Sequence, residues 1–129
     1  MTTEELRSEL DLHFVLIERD GPDLVVKTLF PNRARLTDDL REELRTHKAE
    51  LLERLHFEEK ADALLLESSR RLGVVWPEGC PLEGEEWNHI EEELREAYRN
   101  ADQDDLHDVI RRREECALKA FRMYKERAK

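Results

Sequence analysis

Carboxylates gather twice in this chain, as Glu91-Glu92-Glu93 and as Asp102-x-Asp104-Asp105. Paired carboxylates do acid–base chemistry only in a desolvated cleft that moves their pKa values apart. On an exposed helix they form a solvated face, which is the expectation here. Asp102, Asp104 and Asp108 lack the glycine and terminal glutamate of a calcium-binding EF-hand loop. The histidines, His13, His47, His56, His89 and His107, pair with no cysteine or second histidine at a metal-ligand spacing. His89 and Glu93 stand four residues apart, an ordinary surface pairing on a helix. Cys80 and Cys116 lie far apart and are expected as free thiols in a cytosolic chain. There is no G-x-S-x-G, P-loop or G-x-G-x-x-G motif, and only four glycines are present to cradle a phosphate. These residues point away from an enzyme, and no cofactor or metal is expected.

Arg111-Arg112-Arg113, Lys119, Arg122, Lys125, Arg127 and Lys129 make the C-terminal end basic. Helical geometry spreads them around the helix at about 100° per residue. Pairing with a neighbouring acidic helix is the expectation, with contact to nucleic acid as the rival. Trp76 and Trp87 could form an aromatic site, but large aromatics in a short chain usually plug the core. That is what is expected of both.

The residues best suited to meet a partner come earlier. Val25, Lys27 and Leu29 share one face of an extended segment, and Leu24, Val26, Thr28 and Phe30 share the other. The set with Phe30 is assigned to the core. That leaves Val25, Lys27 and Leu29 exposed, with Arg33 and Arg35 close by. A basic and apolar patch on an acidic protein suits an acidic tail. The patch is otherwise covered by the C-terminal helices or by a second copy in a homodimer.

These side chains need elements to hold them. Thr2-x-x-Glu5 matches a capping box, and Leu6 and Leu10 follow on one helical face, predicting a short helix that ends near Leu12 or His13. Residues 14–19 and 24–30 are rich in β-branched and aromatic residues. Asp20-Gly21-Pro22-Asp23 between them predicts a hairpin turn. Pro31-Asn32 ends the second strand. Thr37, followed by Asp38 and Asp39, opens a long helix whose leucines 40, 44, 51, 52 and 55 trace one face. The pattern shifts phase at His56-Phe57, where either the helix continues with a bend or a short turn falls, and a further helical stretch runs from Glu58 to Leu72, with Gly73 as its stop. Residues 74–81 read as a loop. Helix four is expected from about Glu83 to Asn100. Helix five follows from a cap at Asp102 or Asp104 almost to the end. The expected fold is α+β and mainly helical: short helix, β-hairpin and long helix (αββα), then a small antiparallel helical bundle. Residues 1–56 form the first part, and residues 57–129, packed with it as one unit, form the bundle.

One stretch carries a resemblance. Glu5-Leu6-Arg7-Ser8-Glu9-Leu10 precedes the hairpin. Leu36-Thr37-Asp38-Asp39-Leu40-Arg41-Glu42-Glu43-Leu44 and Lys48-Ala49-Glu50-Leu51-Leu52 follow it. This order, above all L-T-x-x-L then K-x-x-L-L directly after a hairpin, resembles the TubC N-terminal docking domains over residues 2–55. The resemblance implies an αββ fold followed by helices, whose hairpin receives a short linear motif from the C-terminal tail of another subunit. Members of that family usually carry a glycine between the first helix and the first strand, where this chain has Phe14.

Composition bounds the rest. The 129 residues are 42% charged and 39% hydrophobic, with a formal net charge of −10. Regularly spaced Leu, Ile, Val and Phe argue against disorder and for helices with one apolar stripe. Residues 78–108 hold twelve acids against two bases, and residues 109–129 hold eight bases against three acids. An acidic helix four beside a basic helix five follows. A net acidic surface repels phosphate and anionic lipid, so nucleic acid and membrane are not expected partners. No stretch approaches the roughly 20 apolar residues of a membrane span, and the acidic N-terminus is unlike a signal peptide, so a cytoplasmic location is expected. The function expected is a non-catalytic docking or adaptor module binding a short peptide of another protein. The alternatives are an accessory protein of a mobile element that works with nucleic acid, and an acidic nucleic-acid mimic.

Overall fold

The computed structural model describes residues 1–30 and 32–128 of the chain. They form five helices and one two-stranded antiparallel hairpin, a mainly helical α+β fold. The chain divides into two units, Met1–His56 and Phe57–Lys129.

In the first unit, helix α1 spans Thr3–Leu12. The Thr2 hydroxyl accepts the Glu5 N–H at 3.1 Å, satisfying a donor that the helix itself leaves orphaned. Leu6 and Leu10 are fully buried on its inner face. His13 caps the end and Phe14 turns the chain through a left-handed backbone, φ 58°. Strands β1 (Val15–Asp20) and β2 (Asp23–Thr28) follow. Gly21 supplies the positive φ of 59° that a two-residue hairpin loop needs, and Pro22 completes it. Val15 and Ile17 point into the core, with Leu24 and Val26 packed beside them. Two strands alone are marginal in water, so this covered face is what makes the hairpin stable.

Helix α2 spans Asp38–Thr46, capped by the Thr37 hydroxyl on the Leu40 N–H at 3.2 Å. Leu40 and Leu44 complete the core with Leu51 of helix α3, Lys48–Val75. At His56-Phe57 the sequence left either a continuing helix with a bend or a short turn, and the break falls at His47. Side chains mark it, with no glycine or proline. The Thr46 hydroxyl donates to Glu42 O at 3.0 Å, and the half-buried His47 ring lies between Glu43 and Glu50. At His56-Phe57 α3 runs on unbroken. The stripe changes phase there because Leu51 feeds the first unit's core and Phe57 and Ala61 feed a core of the second.

Gly73 does not stop α3, which continues to Val75. Pro77 is the effective terminator, because the residue before a proline is pushed out of helical geometry. Helix α4 spans Glu85–Arg99 and helix α5 spans Gln103–Arg127, with Asp102 as the cap of α5. Phe57, Ala61, Ala97, Leu106 and Ile110 form one buried cluster, and Leu72, Cys80, Ala117 and Phe121 form another. Trp87 packs against the second cluster as an anchor. Trp76 is 43% exposed, so the expectation that both tryptophans plug the core is corrected for Trp76.

Candidate docking surface on the hairpin

The register of the hairpin decides which groups face outward. Val15 pairs with Thr28, Ile17 with Val26 and Arg19 with Leu24. One pair further down, the Leu29 N–H donates to Phe14 O at 2.8 Å. Antiparallel pairs alternate between bonded and non-bonded. The bonded pairs are therefore 14–29, 16–27, 18–25 and 20–23. The N–H and C=O groups of Leu24, Val26 and Thr28 point away from β1. Among the described residues no strand lies beyond β2. An edge of this kind is a template for another strand.

The same register sorts the side chains. Leu16 and Glu18 of β1 share a face with Val25 and Lys27 of β2, and Leu29 lies opposite Phe14. Lys27 is exposed and donates to Glu18 at 2.8 Å, so its charge is shared across the strands. Leu29 is 47% exposed. Val25 is half-buried, less open than the sequence suggested. Phe30 is the clear correction. It is 66% exposed and outside the core, because β2 ends at Thr28 and Phe30 leaves strand geometry at φ 52°. Its ring meets the edge of Phe14 at 5.8 Å. The expectation that Pro31 helps to end the strand lies outside the described residues.

Arg33 and Arg35 are both exposed. The Arg33 N–H donates to Phe30 O at 2.8 Å and the Arg35 N–H to His13 O at 3.2 Å. Both arginines thus emerge at the end of the hairpin far from Gly21. Among the described residues neither guanidinium forms an ion pair. From Leu24 to Thr37 the chain carries Lys27, Arg33 and Arg35 and no acid. The sequence placed the patch on the second strand and on Arg33 and Arg35 after it. The register adds Phe14 and Leu16, and counting pairs back from the Gly21-Pro22 turn would have found them.

The other chemically suggestive residues are engaged with one another. Arg113 donates to Glu91 at 2.7 Å, and Arg112 binds both Glu93 and Asp108. Arg111 joins Asp108 to Glu115. The acidic α4 and the basic α5 are therefore paired, as their charges implied. Hydrogen bonding from Arg112 holds the Glu93 carboxyl below its ordinary range, and Arg111 does the same first for Asp108. Arg71 of α3 does so for Glu114 of α5. Cys80 and Cys116 are free thiols, and burial pushes the Cys116 thiol up. Among the described residues no group of three or more His, Cys, Asp and Glu side chains could hold a metal ion. No helix among them is long and apolar enough to cross a membrane.

Compared with protein-family models, curated proteins and solved structures, the chain matches none.

Proposed function

We propose that this chain is a non-catalytic protein-docking module that accepts a short acidic peptide as an added strand along the outer edge of β2. The observation that carries this reading is the outward N–H and C=O groups of Leu24, Val26 and Thr28, with no strand beyond them among the described residues. Backbone bonds to those three residues would supply affinity. The outward face of Leu16, Lys27, Leu29 and the half-buried Val25 would select the peptide's alternate side chains. Arg33 and Arg35 at the foot of the hairpin would favour acids at the corresponding end of the peptide. The resemblance of residues 2–55 to TubC docking domains supports the same reading, and implies the C-terminal tail of another subunit as donor.

The test is fluorescence anisotropy with C-terminal tail peptides of the proteins encoded beside this one. Thr28→Pro removes one outward donor and no ladder bond, and proline is tolerated at such edge positions. One lost hydrogen bond is worth about 0.5–1.5 kcal/mol, so binding should weaken up to about tenfold. Arg33→Glu with Arg35→Glu should weaken it further and flatten its salt dependence. A folded Thr28→Pro variant that binds a tail as well as the parent chain refutes strand addition.

A further inference from the structure

Both tryptophans of the chain wall one open cleft of ≈ 780 Å³ in the Phe57–Lys129 unit. Trp76 follows the end of α3, where Pro77 forces the chain out of helix. Its Nε1–H donates to Cys80 O at 2.9 Å, and its ring lies 5.0 Å from Phe121. One side of the indole is thus pinned while the ring remains 43% exposed. Trp87 sits in the first turn of α4, and Leu82 also lines the cleft.

Two guanidiniums, those of Arg95 and Arg113, already line the cleft. Arg113 of α5 lies over the Trp87 ring, 4.9 Å from its centroid, and donates to Glu91 at 2.7 Å. An aromatic face beneath a guanidinium and a carboxylate beside it are a favourable setting for an arginine. Trp76 and Glu92 bring a second copy of those two ingredients to the same cleft. The present partner of Glu92 is Arg95, one turn along the same helix, at 2.6 Å. Both side chains of that pair are more than half exposed, so the pair is weak and exchangeable. The cleft lining balances Glu91 and Glu92 against Arg113 and Arg95, so the carboxylate a new cation would meet is Glu92, exchanged from Arg95. The space is far larger than one guanidinium and is open, which leaves room for the backbone on either side of it.

We infer that this cleft binds an arginine side chain presented by a basic peptide segment of a partner protein, stacked on the exposed tryptophan and paired with Glu92. The site is separate from the hairpin, and it predicts a partner of the opposite charge.

Because both tryptophans of the chain line the cleft, binding there should change their emission. The full chain is titrated with the blocked peptide acetyl-Gly-Arg-Gly-amide and with the same peptide carrying citrulline, the neutral isostere of arginine. A saturable emission change is expected for arginine, at least tenfold weaker for citrulline and diminishing with added salt. Glu92→Gln, at an exposed position that leaves the fold intact, should weaken arginine binding about tenfold. Arg113→Ala vacates the occupied slot and should tighten it. Equal response to citrulline, an unaltered affinity in Glu92→Gln, or weaker binding in Arg113→Ala overturns the inference. Agmatine binding as tightly as the peptide would overturn the assignment to a peptide partner.

Discussion

Ala101 takes a left-handed backbone, φ 53°, directly after α4. The Asp102 N–H donates to Ala97 O at 3.1 Å and the Ala101 N–H to Tyr98 O at 3.3 Å. These two bonds form a Schellman motif, whose left-handed position is most often glycine. An alanine there carries strain that glycine does not, offset in part by the greater freedom of glycine in the unfolded chain. Ala101→Gly should therefore stabilise the protein by about 0.5–1 kcal/mol, read as a higher urea midpoint at unchanged m. Phe14 is in the same backbone region after α1, but its ring packs against Phe30. Replacing it loses an aromatic contact worth about 0.5–1.5 kcal/mol, so no comparable gain is expected at that position.

At the scale of elements, α1 exists to cover a hairpin. Leu6 is fully buried among Val15, Ile17, Leu40 and Leu51. Leu6→Ala should cost about 2–5 kcal/mol, because the rigid surroundings leave a cavity, and a urea titration followed by circular dichroism measures it. In the second unit, ion pairs between helices add to the buried apolar clusters. Glu93, Asp108 and Glu114 are all held below their ordinary values of 4.5, 3.8 and 4.5 by arginines. A lowered folded-state pKa means that the unfolded chain binds protons first as pH falls. The stabilisation is complete above the ordinary carboxylate range and is lost as pH drops through and below it. Unfolding followed by tryptophan emission should show this decline, and Glu93→Gln with Glu114→Gln should flatten it. A decline of the same steepness in that double variant would rule out the Glu93 and Glu114 pairs as its source.

For the whole molecule, a net charge of −10 sets the partners that can approach. The Arg111-Arg112-Arg113 run, which could have touched nucleic acid, is occupied by Glu93, Glu91, Asp108 and Glu115. Incubation with duplex DNA at low salt is expected to give no mobility shift. A shift that weakens steeply with salt would instead favour the nucleic-acid accessory reading, since phosphate contacts release counterions. Exposed apolar residues on the hairpin and at the tryptophan cleft mark where protein partners are to be sought.

Sequence alone determined the elements whose causes are local. Thr2, Thr37 and Asp102 cap helices through their own side chains. Gly21-Pro22 turns the hairpin, and the leucine spacing marks the buried faces. The break at His47 escaped it because it arises from packing and side-chain contacts, with no residue that breaks helices by itself. Phe30 escaped it because alternation identifies a core face only while the strand continues. The pairing register, and with it the outward groups of Leu24, Val26 and Thr28, follows from the turn, yet the absence of a strand beyond them among the described residues is a tertiary fact. The meeting of Trp76, Trp87 and Arg113 was likewise decided only by the tertiary structure, which brings together residues far apart in sequence.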